Sequence, residues 1–265
     1  MALSQKTTDR IKLAIKRFQP ILQSAKSRDV NESDTVTIIT DMLEQLFGYD
    51  KYSEITSEHV IRGTYCDLAV RMEDKIILLI EVKAIGLSLK DSHIKQAIDY
   101  AANQGTEWVV LTNGEEWNIY KVKFSKPIDH ELVLNFNMLN ISSKAADDIE
   151  NLSTLCKEGL KRNKLEELYT TKEAINKFTI GAVLQTDAVV SVIRRELKRL
   201  SKDIKFGEDE ILKLLKDEVI KRDVFEGEMA INAQKKIAKF ERKQAKIQQA
   251  PTNEIEFYDI KAQVN

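Results

Sequence analysis

Five consecutive aliphatic residues, Ile76 to Ile80, stand directly before Glu81-Val82-Lys83 and shortly after a second run, Asp67 to Met72. A strand with one face in water alternates polar and apolar residues, whereas a strand that is apolar throughout has both faces covered. The chain is therefore expected to build a sheet with IILLIEVK at its centre and other elements packed on either side. Only Glu73-Asp74-Lys75 separates the two runs, which is short enough for a hairpin. Turn formers are scarce, with 9 Gly and 3 Pro in 265 residues. Average usage is about 12% for the two together, so this scarcity argues for long helices and against an all-β sandwich or a disordered linker protein.

Helical spacing surrounds the strands. IKLAIKRFQPILQ carries apolar residues at helical intervals, and Pro20 is expected to kink or break it. Glu32 to Phe47 reads as a second helix, apolar at Val36, Ile39, Leu43, Leu46 and Phe47 and stopped by Gly48. Glu32 and Asp34 fall in its first turn, where the helix dipole favours carboxylates. A third helix fits Ser92 to Gln104, closed by Gly105, and WVVLTN and WNIYKV then pair across Gly114 and Glu115. The order β-β-α-β-β behind two helices gives an α/β fold, a mixed central sheet flanked by helices.

Strand signals end at about Ser142. Helical periodicity fills 145–160, 171–185, 187–201, 208–222 and 226–249, with Thr170 and Glu173 spaced for a capping box and Thr186-Asp187 opening the next helix. The expected organisation is a sheet domain over 1–142, an all-α bundle over 143–250, and a loosely ordered tail over 251–265.

Charge and cysteine usage narrow the function classes. The 41 basic and 42 acidic residues leave a net charge of -1, which excludes a uniformly basic nucleic-acid coat. Local clusters remain at 194–199 (RRELKR) and 235–246 (KKIAKFERKQAK), and these fit either solvated helix faces or sequence-blind phosphate contacts. Cys66 and Cys156 are too few for a disulfide framework. With no apolar stretch of roughly 20 residues and no signal-peptide core at the start, a cytoplasmic protein without a membrane span is expected. His59, His93 and His130 lack metal-ligand spacing, so a zinc site is not expected. Trp108, Trp117 and Cys66 read as packing residues.

The hairpin brings the charged residues together. A two-residue turn sets Asp67 opposite Ile80, and a three-residue loop sets it opposite Glu81. In either register Asp67 lies beside Glu81 at the end of the sheet. Glu81 and Lys83, two apart on one strand, share a face. Two adjacent carboxylates repel unless a proton or a cation neutralises them. Carboxylate oxygen is the ligand type for Mg²⁺, and a neighbouring ammonium suits a phosphate or an attacking water.

Asp67 followed by Glu81-Val82-Lys83 resembles the D…(D/E)xK core of the PD-(D/E)xK, restriction-endonuclease-like nuclease superfamily. Glu32 matches the helical glutamate that often assists the metal there, and Gln96 with Tyr100 matches the QxxxY motif on the helix after the core strands. LTNGEEWNIY (111–120) and LFGYD (46–50) are similar to the N-terminal nuclease domains of type I restriction enzyme R subunits. The resemblance covers about 28–125, and Cys66 stands where the superfamily's namesake proline would be. It implies a metal-dependent DNA endonuclease with a restriction-like, defence-related role. Asp67, Glu81 and Glu32 would hold Mg²⁺ or Mn²⁺, Lys83 and Gln96 would act with them, and Tyr100 would support. DNA, restriction or defence partner proteins and a homodimer are the implied partners. No GxxxxGK[ST] loop occurs, so the ATP-driven translocase of a full R subunit is expected to be missing. A non-autonomous nucleic-acid-binding or assembly module remains the alternative.

Overall fold

The computed structural model describes residues 3–61, 64–201 and 205–248, and side chains within them except at 58–65 and 244–248. The expected tail 251–265 and the side chains of His59 and Lys246 lie outside the described residues. The chain forms two compact units, 1–172 and 173–265.

The first unit opens with α1 (Gln5–Ser27), capped by Ser4, whose Oγ accepts from the Thr7 N–H at 3.1 Å. Of the expected kink or break, the break does not occur, since α1 continues past Pro20. An interior proline costs about 3 kcal/mol, but Ile11, Ile15, Phe18, Leu22 and Ala25 keep one buried face on both sides of it. Each large aliphatic buried there contributes about 1.5–3 kcal/mol, which outweighs the lost hydrogen bond. Next comes α2 (Glu32–Gln45), capped by Asn31 Oδ1 on the Asp34 N–H at 2.9 Å. Leu46 and Phe47 lie just past its end and are buried.

A single sheet follows, with strands β1 (Ile55–Ile61), β2 (Thr64–Met72), β3 (Lys75–Val82), β4 (Trp108–Thr112), β5 (Glu116–Lys123) and β6 (Asp129–Asn137) side by side in chain order. It is mixed: β3 and β4 are parallel, joined by the crossover helix α3 (Asp91–Gln104), and every other pair is antiparallel. The β-β-α-β-β order thus gains a strand at each edge. Edge strands need no continuous apolar run. In β1 the pattern is mostly polar, and in β6 Leu132, Leu134 and Phe136 alternate with Val133 and Asn135 in a period that was there to be read.

As expected, β3 is central and covered on both faces. Leu78, Ile80 and Val82 pack with Leu68, Val70, Trp117 and Ile119 beneath α1 and α2. Leu79 joins Ala69, Val109, Leu111 and Tyr120 beneath Ile94, Ala97 and Ala101 of α3. The helices α4 (Ala146–Leu155), α5 (Lys157–Lys161) and α6 (Lys164–Ala174) come next. Ile149, Leu152, Leu155, Cys156 and Leu165 belong to the main core, so the first unit extends past residue 142 to Lys172.

The hairpin settles its register in an unforeseen way. Glu73 and Asp74 form a two-residue turn with φ of 49° and 63°, the type I′ signature. Met72 pairs with Lys75 and Arg71 with Ile76, but Val70 then pairs with Leu78, leaving Ile77 out of the ladder as a bulge. Leu68 consequently pairs with Ile80, and the next step places Asp67 opposite Glu81. The tight turn and the Asp67–Glu81 pairing, which were alternatives on spacing alone, occur together.

The second unit contains α7 (Lys177–Val183), α8 (Asp187–Leu200), α9 (Glu208–Leu214) with a π-helical continuation over Leu215–Val219, α10 (Arg222–Phe225) and α11 (Glu228–Gln248). Val190, Ile211, Leu215 and Ile220 form its core. The expected helix 171–185 is split. Thr170 and Glu173 lie within α6, so they form no capping box, and α7 starts afresh at Asn176, whose Oδ1 accepts from the Thr179 N–H at 2.8 Å. An Asn beside free N–H groups is a stronger helix start than a Thr inside a formed helix.

Candidate active site

Four of the six singled-out residues gather at the end of β2 and β3. Asp67 Oδ2 accepts from the Val82 N–H at 2.7 Å, which fixes the carboxylate across the strand pair from Glu81. Lys83 Nζ lies 2.7 Å from Glu81 Oε1 and 3.5 Å from Glu32 Oε2, so the first turn of α2 reaches the same point. The backbone is held as firmly: the Lys83 N–H donates to Thr112 O at 2.8 Å, fastening the strand end to β4.

Burial sets the electrostatics. The Glu81 side chain is 7% exposed and Lys83 17%, against 48% for Glu32. Loss of water pushes the Glu81 carboxyl above the ordinary range; the hydrogen bond from Lys83 opposes this, and the charges of Asp67 and Glu32 add to it. For Lys83, burial acts downward, but the hydrogen bond to Glu81 and the charges of Glu81, Glu32 and Asp67 outweigh it and hold the ammonium above its usual value. Lys83 is thus held as the charged ammonium. Next to the carboxylates, Cys66 is buried, its thiol pushed up to about 12 by burial and then by Glu81, and it donates to Ile80 O at 3.2 Å. This is a packing thiol.

The other two residues sit differently. Tyr100 is fully buried in the α3 side of the core, its hydroxyl raised by burial and by the nearby Cys66. Gln96 is exposed on α3, not buried with the carboxylates.

The LTNG segment braces the site without entering it. Asn113 Oδ1 accepts from the N–H groups of Glu115 and Glu116 at 3.1 and 2.7 Å, while its Nδ2 donates to Leu87 O at 2.9 Å, tying the β4–β5 turn to the loop that leaves β3. Trp117 Nε1 donates to Gly114 O at 2.9 Å, and its ring packs on Phe47 and Phe136, the core role expected of it. Sequence reasoning missed Ile77 and Asn113. The Asn-Gly pair in LTNG signalled a turn, but nothing in the spacing marked the bulge.

Two carboxylates at a sheet end suit a hard divalent cation, which takes oxygen ligands and retains water. Among the described residues no three His, Cys, Asp or Glu side chains close on one point. A cation held by two carboxylates keeps water or phosphate oxygen in its remaining positions. The donors fit that use, because the buried Glu81 beside Asp67 is the group a cation would relieve.

Fold and site together define a mixed α/β sheet domain with a lysine and acidic residues converging at one sheet end. Residues 38–133 match the family of the type I restriction enzyme R protein N terminus, which points to a restriction-like role. The matched stretch holds Asp67, Glu81, Lys83, Gln96 and Tyr100, and it begins after Glu32. No curated protein and no solved structure matches the chain. Among the described residues no helix is long and apolar enough to cross a membrane.

Proposed function

We propose that the protein is a metal-dependent endodeoxyribonuclease of the PD-(D/E)xK kind, hydrolysing DNA phosphodiesters in a cytoplasmic restriction or defence system. The observation that carries this reading is the meeting of Glu81 and Glu32 on the Lys83 ammonium, with Asp67 fixed across the strand pair from Glu81. Asp67 and Glu81 would hold Mg²⁺ or Mn²⁺, with Glu32 assisting directly or through water. When bound, the ion supplies neutralisation of phosphate charge and a more acidic water. Lys83, kept protonated by its acidic neighbours, orients the attacking water and donates to the phosphate oxygen on which negative charge grows. Gln96, exposed on α3, would order the solvent side of that neighbourhood, and Tyr100 would hold α3 against the sheet beneath it.

The test is cleavage of supercoiled, linear and single-stranded DNA with Mg²⁺ or Mn²⁺, comparing wild type with Asp67→Ala and Lys83→Ala. Each variant's fold is checked by circular dichroism. Metal-dependent cutting by the wild type that both substitutions abolish is the expected result. Wild-type rates in both variants would remove the site assignment. A folded wild type that binds DNA and cuts none would instead favour a module that depends on partner proteins.

A further inference from the structure

In the second unit, the stretch 235–243 of α11 carries Lys235, Lys236, Lys239, Arg242 and Lys243, all exposed, against the single acid Glu241. At 3.6 residues per turn these five fall within an arc of about 120° on one side of the helix. Ala230 and Ala233, on the opposite side, are buried, and α11 packs along α7. Elsewhere in the unit some surface cations have partners, as Lys177 meets Asp223, Arg194 meets Glu208, and Arg199 meets Glu196. Those with no ion pair among the described residues, such as Lys213 and Lys221, do not line one helix face in this number. Among the described residues no carboxylate pairs with any of the five on α11. Five unneutralised like charges on two turns of helix repel one another, and a partner of opposite charge relieves them.

We propose that this face of α11 is a docking surface for the phosphodiester backbone of nucleic acid, independent of the carboxylate–lysine site. The choice of polyanion rests on the nuclease reading, and the helix geometry supports it. A membrane-surface helix inserts the apolar face opposite its cations. Here Ala230 and Ala233 opposite the cations are buried, and the exposed Met229, Ile231 and Phe240 flank the cations instead of forming one apolar face opposite them. Such contacts are blind to sequence and strongly salt-dependent. Phe240, 61% exposed, borders the cations next to Lys236 and Lys243 and offers a ring for an unpaired base to stack on.

The test is fluorescence anisotropy of labelled duplex and single-stranded DNA with the full chain in EDTA, where no cutting occurs, over a salt series. Lys236→Gln, Lys239→Gln and Lys243→Gln are combined in one variant. The control, Lys16→Gln, Lys126→Gln and Lys144→Gln, removes the same charge from exposed positions in the first unit. The α11 variant is expected to bind at least roughly tenfold more weakly at physiological salt. Its slope of log affinity against log salt should be smaller by about 3, close to one per lost phosphate contact. Phe240→Ala should weaken single strands more than duplex. Wild-type affinity in the α11 variant, an equal loss in the control, absent wild-type binding, or capture of phosphatidylserine vesicles in place of DNA would each overturn the proposal. If α11-dependent binding is present but the wild type cuts nothing with Mg²⁺ or Mn²⁺, the nuclease reading falls and the docking surface stands.

Discussion

Replacing Lys83 with Met removes the ammonium that sits 2.7 Å from Glu81 and keeps most of the side chain's volume. At that distance the attraction is about 6 kcal/mol for an effective dielectric of about 20. The net penalty has a lower ceiling, because Glu81 can take up a proton instead. Holding a carboxyl of unfolded pKa about 4.3 in its neutral form at pH 7 costs about 1.4 kcal/mol per unit, or about 3.7 kcal/mol. Loss of the half-exposed Glu32 contact adds at most about 1 kcal/mol. The sign follows from the direction of the Glu81 shift. Its folded pKa is raised by burial, so its share of stability is whole below the unfolded value and is lost as pH rises through the folded one. Lys83→Met is therefore expected to cost about 3 kcal/mol at neutral pH, with the deficit closing as pH falls towards 5. Urea unfolding in EDTA, followed by tryptophan fluorescence, reads this cleanly because Trp108 and Trp117 both lie in the first unit. Glu81→Gln added to Lys83→Met should recover much of the loss at pH 7. A deficit that is constant from pH 5 to pH 8 would refute the reasoning.

Two further substitutions test the framework around the site. Gly48, three residues past α2, and Gly105, the cap of α3, both have positive φ, 83° and 71°, but a Cβ at Gly48 would lie 2.6 Å from the Arg10 guanidinium and one at Gly105 would meet nothing within 4 Å. Arg10 holds Glu158 through two bonds of 2.8 Å, so Gly48→Ala should cost about 2–4 kcal/mol and Gly105→Ala about 1–2 kcal/mol, measured by urea midpoints. At the hairpin tip, Glu73→Asn with Asp74→Gly relieves two left-handed residues and should raise stability by about 1 kcal/mol, seen as a higher midpoint with unchanged cleavage.

Where burial dictated composition, the sequence was legible. The IILLI run announced a strand covered on both faces, and the helix end at Gly105 followed from its residue type, whereas α2 already ends at Gln45, ahead of Gly48. Pro20 does not break α1 because its local penalty is set against a long buried face that only tertiary packing supplies. The edge strands escaped because an edge can be polar, and the split at Asn176 escaped because one cap competes with another a few residues away. At the site, the strand period placed Glu81 and Lys83 on one face. That Glu32 reaches Lys83 depends on how α2 lies across the sheet, which no spacing encodes. Gln96 matched a motif by position, yet motif position does not report exposure, and the side chain lies at the surface.

The bulge at Ile77 also has a bearing on inheritance. On the tip side of it, the ladder has slack: a residue gained or lost between Arg71 and Leu78 can be taken up by the loop or by the bulge itself, and the carboxylates stay across from each other. On the far side there is none. One residue gained or lost between Leu78 and Glu81 would turn Glu81 to the opposite face, beneath α1 and α2. Length variation at this hairpin is thus two different kinds of event, neutral at the tip and disabling a few residues further along, and a gap's address decides whether the chemistry survives it.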